Sequence, residues 1–234
     1  VSDELLELLR RGTIVVEGRF ANSSNQTLLV VVVGAGEELR AVYKPEAGER
    51  PLWDFPRGLW RREVAAYELD RQLGLEMVPE TVVRSEGPAG PGSLQRFVDE
   101  DLASHYFTLR EEPMHLEALR ALAAFDVVAN NSDRKSGHVL FAEERLFAID
   151  HGLCFHEEDK LRTVIWDFAG EPLAESVLEG LSRLLREPPS ELLELLSAKE
   201  LARTLERAQE LLGAGALPHP DEDRPYPPYP WPLV

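Results

Sequence analysis

Residues 126–152 read DVVANNSDRKSGHVLFAEERLFAIDHG, and the reading of this stretch governs the rest of the chain. It starts inside an apolar helical pattern and passes through Asn131-Ser132-Asp133-Arg134, with His138 five residues after Asp133. It closes on Asp150-His151-Gly152 after a short strand-like run. Asp and Gly are common turn formers, so either aspartate by itself reads as a turn residue. One follows a helix and the other a strand, and together they raise the question of a shared site.

Working outward, the 116–131 segment reads as an apolar helix, and HVLFAEERLFAID (138–150) reads as a hairpin with Glu143 and Glu144 near its turn. Upstream, the pattern predicts a short helix over 2–11, strands over 13–20, 27–33 and 39–45, and polar turns at 21–26 and 34–38. A Pro/Gly-punctuated loop (47–58) leads to a helix over 59–74 closed by Gly74, then strands over 77–85 and 93–100. From about residue 99 to 213 the pattern is mainly helical. The tail PHPDEDRPYPPYPWPLV has polyproline character, and reads equally as a partner motif or as a strap packed on the domain. The fold class predicted is α+β in two lobes. A β-rich lobe with one helix spans 1–98, a helical lobe spans 99–216, and a Pro-rich tail spans 217–234.

Composition narrows the function. A formal net charge of −17 argues against binding nucleic acid through general electrostatics. No apolar run approaches the length of a membrane span, and no stable membrane insertion is expected. Cys154 is the single cysteine, which excludes an intrachain disulfide and suits a reducing, cytoplasmic setting. Only four residues are lysine (44, 135, 160 and 199).

Phosphoryl transfer from ATP needs a cation on the phosphates, carboxylate-held metal and a group orienting the attacking hydroxyl. Protein kinases supply a strand lysine paired with a helix glutamate, a catalytic Asp with a metal-ligand Asn five residues on, and a later metal-binding Asp. Counterparts occur here in the same order: Lys44 in AVYK, Glu63 in RREVAAYELD, Asp133, His138 and Asp150. The glycine-free turn around Ser23, Ser24 and Asn25 occupies the place of a phosphate-covering loop. The strand residues Arg96, Phe97 and Val98 are positioned like an interlobe hinge whose backbone would face adenine.

On NSDR (131–134) and AIDHGLCF (148–155) the chain resembles the phosphatidylinositol 3-/4-kinase superfamily. It also resembles an uncharacterised bacterial branch related to that superfamily, and type II phosphatidylinositol 4-kinases show similar segments. Fam20-type and HipA-type kinases share the same logic. The resemblance implies that Asp133 orients or deprotonates the acceptor hydroxyl, that Asp150 binds Mg²⁺, and that Asn131 and Arg134 shape the catalytic loop. His138 departs from the Asn or Glu those families carry as second metal ligand. Imidazole suits Mn²⁺ and other transition metals better than Mg²⁺.

The function expected is an ATP- and Mg²⁺- or Mn²⁺-dependent phosphotransferase acting on a lipid, small-molecule or protein hydroxyl. The alternative is a pseudokinase, a nucleotide-binding or scaffolding module that has lost transfer. Nucleotidyl transfer onto protein uses the same metal site with ATP reversed. A zinc site from His138, His151, Cys154 and His156 is a rival, although the H-x-x-C-x-H spacing splits these side chains between faces.

Overall fold

A computed structural model describes residues 3–20, 25–99, 104–221 and 223–234. Strands β1 (Thr13–Arg19), β2 (Leu28–Gly34) and β3 (Glu37–Pro45) form an antiparallel meander. The β2–β3 turn is tighter than the sequence suggested. Gly34 pairs directly with Glu37, and Ala35 and Gly36 take φ of 53° and 84°. Two successive left-handed residues match the right-handed twist of the flanking strands, so Glu37 and Glu38 join β3.

The next two strands do not simply extend the meander. β5 (Gly92–Arg96) pairs with β3, while β4 (Thr81–Arg84) pairs with β5 on the outside, giving the order β1-β2-β3-β5-β4. Helix α1 (Asp3–Arg11) packs Leu6 and Leu9 onto this sheet. β4 starts four residues later than expected because residues 77–80 serve a different purpose. The amide of Met77 donates to the carboxylate of Asp70 at 3.0 Å, and Pro79 O accepts from the Thr81 hydroxyl at 2.7 Å.

Helix α2 (Leu59–Leu73) is buried on nearly every face, although it carries Arg62, Glu63, Glu68 and Asp70 among its buried residues. The sheet edge of β4 and β5 covers one side; α5 (Glu175–Arg186) and α6 (Ser190–Leu195) cover the other. Gly180 in α5 allows the closest approach, since a Cβ there would lie 2.4 Å from the Leu73 carbonyl. Most buried polar groups need partners. Arg62 donates to Cys154 O at 2.9 Å and pairs with Glu200, and Glu63 faces Lys44.

After α2 and the sheet come α3 (Tyr106–Leu109), α4 (Leu116–Ala129), the hairpin β6 (Val139–Ala142) and β7 (Arg145–Ala148), then α5, α6 and α7 (Ala198–Ala214). Glu143 and Glu144 make the hairpin turn, both at positive φ. The tail is a strap. Pro228 O accepts from Thr163 N–H at 3.0 Å and from the Trp166 indole at 2.9 Å, and Leu233 O accepts from Ser136 N–H at 2.8 Å. Among the described residues no helix is long and apolar enough to cross a membrane.

Asp70 gives the fold a pH dependence. Burial raises its carboxyl to about 7, against the amides of Val78 and Met77 that favour the charged form. A carboxyl raised above its unfolded value contributes stability below about pH 4, and that contribution is lost as pH rises through the folded value. Urea unfolding at pH 5.5 and pH 8 will show an Asp70 contribution of about 2 kcal/mol in favour of pH 5.5. The Asp70→Asn protein will lack that increment.

Candidate active site

Lys44 stands at the end of β3, opposite Ser93 of β5, and its ammonium is shared between two carboxylates. Nζ lies 2.5 Å from Glu63 Oε1 and 2.9 Å from Asp150 Oδ1. The second oxygen of Glu63 accepts the His151 amide at 3.0 Å. One carboxylate from α2 therefore holds both the strand lysine and the backbone of the Asp150-His151-Gly152 turn. Asp150 sits at φ 62°, a left-handed conformation that Asp tolerates better than most residues and that concentrates at functional sites.

Asp133 is positioned from behind. Helix α4 ends where Asn130 turns left-handed at φ 50°. Asn131 then donates to Asp126 Oδ1 at 3.0 Å and accepts the Asp133 amide at 3.0 Å. Arg134 and Asp126 are both wholly buried, with Nη2 to Oδ1 at 2.9 Å and Nε to Oδ2 at 3.0 Å. The same guanidinium donates to Ile149 O at 3.0 Å, to His138 O at 3.3 Å and to His151 Nε2 at 2.9 Å. A guanidinium only donates, so His151 Nε2 is an acceptor and its proton resides on Nδ1, which has no partner among the described residues. Arg134 thus ties the loop carrying Asp133 to the strand end carrying Asp150.

A cavity of about 400 Å³ lies in front of these groups. Lys44, Glu63, Asp133, His138 and Asp150 all line it, with Asn25, Arg50 and Lys135 on its walls. The Lys135 ammonium is 3.0 Å from Asp133 Oδ2. Burial alone would lower Lys44, but Asp150 and Glu63 outweigh it and hold the ammonium above its usual range. Lys44 in turn holds Asp150 well below the usual carboxylate range, against burial. Burial raises Glu63, with Lys44 opposing, and burial raises Asp133, with Lys135 opposing. His138 is pushed down to about 4 by burial, so it is neutral at pH 7. Its Nδ1 accepts the Lys135 amide at 3.4 Å, which places the remaining proton on Nε2, 3.5 Å from Asp150 Oδ2.

The other sequence candidates fall elsewhere. Arg134 and Asn131 are buried behind the cavity and position it without lining it. Arg96 is engaged with Glu80 at 2.5 Å and Glu143 at 2.6 Å. The amides of Arg96 and Phe97 donate to Glu80 O and Arg40 O, and neither residue lines the cavity. Val98 packs with Leu140 and Phe147, beside Ile149. Ser23 and Ser24 lie outside the described residues. The zinc rival's side chains face separate surroundings: His138 towards Asp150, His151 towards Arg134, and His156 edge-on to Phe55. Among the described residues no three His, Cys, Asp or Glu side chains cluster to hold a metal.

Sequence reasoning missed Lys135, Arg50 and Asp126. Lys135 had a signal, being one of four lysines and two residues from Asp133. Asp126 had one too, as a lone carboxylate in the apolar run LAAFDVVA.

No family model matches the chain. Protein Rv2133c of Mycobacterium tuberculosis is 38% identical over 269 aligned positions, which cover 98% of this chain and 95% of that protein. The crystal structure of a Helicobacter pylori proinflammatory kinase, CtkA, superposes with a TM-score of 0.54 at 14% identity, covering 89% of this chain and 94% of that one. The α+β architecture, an antiparallel five-strand sheet followed by a helical region, is therefore the kinase-like fold of CtkA.

Removing one partner of a buried ion pair leaves an uncompensated charge and costs about 3–5 kcal/mol. Chemical denaturation of Arg134→Met is expected to show a loss of that size, because Asp126 is left buried without its counter-ion.

Proposed function

We propose that this chain, which belongs to the family of Protein Rv2133c, is an ATP- and divalent-metal-dependent phosphotransferase acting on a hydroxyl acceptor. The observation that carries the reading is Lys44, bridged to Glu63 and Asp150 at the wall of a cavity that also exposes Asp133. Phosphoryl transfer depends on positioning and electrostatics, and this cavity offers both. Lys44 meets the α- and β-phosphates, and Arg50 and Lys135 add positive charge around the γ-phosphoryl group. Asp133, raised by burial, accepts the proton of the attacking hydroxyl. Asn131 and Arg134 hold its loop. Asn25, on the cavity wall, is assigned to the phosphate side together with Ser23 and Ser24 of the same turn sequence, and Val98, two residues past β5, to the adenine side.

Asp150, with His138 beside it, is the group that would hold a divalent metal, the phosphate oxygens supplying the other donors. Asp150 Oδ1 is on Lys44, while Oδ2 faces His138 across the open side of the cavity. When bound there, the metal neutralises charge on the β- and γ-phosphoryl oxygens. His138 presents nitrogen only after moving its proton from Nε2 to Nδ1, and a mixed nitrogen–oxygen set favours Mn²⁺ at least as well as Mg²⁺. Residues 1–98 and 99–216 act as the two lobes around this cavity, with 217–234 as a strap. The superfamily likeness is to phosphatidylinositol 3-/4-kinases. A chain of net charge −17 is repelled by anionic membrane, however, so the acceptor is a soluble molecule or a protein.

The protonated Nε2 of His138 favours a second reading, a nucleotide-binding module without transfer. Thermal-shift titration and ADP release separate the two. On the first reading, ATP with Mn²⁺ or Mg²⁺ raises the melting temperature, and Lys44→Met removes the shift. Asp133→Asn keeps the shift but lowers phosphoryl transfer by about 10²–10⁴-fold. Stabilisation without any ADP formed by the wild-type protein establishes the module; no stabilisation with either metal rejects both.

A further inference from the structure

A second cavity, of about 360 Å³, opens where three segments meet: the loop before α2, residues 158–162, and the tail. Trp53, Asp54, Asp159, Arg162, Arg224 and Tyr226 form its charged and aromatic walls. Its position relative to Asp133 is fixed by backbone bonds. The Arg162 amide donates to Asn131 O at 2.9 Å, and the Arg162 carbonyl accepts the Arg134 amide at 3.1 Å. Arg162 is thereby laddered to residues on both sides of Asp133, and its charge acts on that carboxylate.

The cations at this cavity are not equivalent. Lys160 is paired with Asp54 at 3.0 Å and lies over the Trp53 ring at 5.6 Å. Arg224 is paired with Asp221 at 3.1 Å. Arg162 makes no ion pair with any described residue, although the chain carries an excess of 17 negative charges. A guanidinium left without a carboxylate in such a chain is free to take an oxyanion from a ligand. Trp53 is 88% exposed and Tyr226 is 61% exposed, and both present apolar faces at the rim.

We infer that this cavity is the acceptor subsite and that it takes a small hydroxyl compound bearing a phosphate or carboxylate group. The inference rests on the phosphotransferase reading. Arg162 holds the anion, and Trp53 and Tyr226 cover the carbon skeleton, which brings the hydroxyl to Asp133. The acceptor oxygen then forms a bond to the γ-phosphorus of ATP while the bond from that phosphorus to the β–γ bridging oxygen breaks. ADP leaves with the electron pair, and the hydroxyl proton passes to Asp133.

The test is calorimetric titration of the full chain loaded with a non-hydrolysable ATP analogue and Mn²⁺, so that the first cavity is filled. The probes are glucose 6-phosphate, gluconate, glucose and a serine-containing heptapeptide. Binding of glucose 6-phosphate or gluconate, with glucose inert, is the expected result, and which of the two binds identifies the anion. Arg162→Ala should weaken that binding about 10-fold or more, Arg162→Lys should restore part of it, and the exposed Arg186→Ala should leave it unchanged. Equal binding of glucose and its 6-phosphate, no binding of either anion, or an undiminished affinity in Arg162→Ala overturns the inference. ADP release stimulated by the peptide and by neither anion overturns it as well. Failure of the analogue to raise the melting temperature overturns the phosphotransferase reading instead, and Arg162-dependent anion binding in that protein would mark an anion site without transfer.

Discussion

The buried pair of Asp126 and Arg134 is the constraint on which the site depends. A guanidinium with no access to water must find acceptors for every direction in which it donates, and here those acceptors come from four places in the chain. Helix α4 supplies the carboxylate, His138 and the strand end before Asp150 each supply a carbonyl, and the turn after it supplies an imidazole nitrogen. Satisfying one side chain therefore fixes the distance between Asp133 and Asp150. A surface ion pair would leave that distance to fluctuate, since solvent competes for both partners. Complete burial makes the pair a poor source of net stability but a strong source of geometric definition.

The residues that line the cavity were legible because the sequence was read for the side chains phosphoryl chemistry needs, in the order it needs them. Lys44, Glu63, Asp133 and Asp150 each look ordinary alone, and their order along the chain was the informative signal. Convergence on one cavity is a tertiary fact that the sequence leaves open, and the structure brings the four together. Lys135 went unread because a lysine in a polar loop has the same local pattern whether it faces solvent or a carboxylate. Arg50 is hidden in the same way. At Arg96 and Phe97 the limit is different: a strand pattern says which faces alternate but not which neighbour takes each amide, and the segment before β4 and β3 take these two.

The fold shows the same division. Strand and helix positions followed from periodicity, Gly74 and the Pro/Gly punctuation, whereas the sheet order did not. Strands β4 and β5 read as a local hairpin, and so they are, but β5 also forms the seam with β3. Its buried residues Gly92 to Gln95 reflect that central place. The boundary of β4 moved because Asp70, eleven residues before Thr81, takes the amide of Met77 and holds the preceding segment off the sheet. Long-range polar contacts of this kind leave no periodic trace.

Helix α2 is walled on both sides, and Gly180 brings α5 against it with no room for a single added methyl group. At that contact the helix is seated directly on α5, so a displacement of the Lys44–Glu63 contact through movement of α2 would have to carry α5 with it. A competitor for the cavity in front has both kinds of wall to draw on: the lysine and carboxylates, and the apolar side chains of Leu52, Leu59, Trp60 and Leu153.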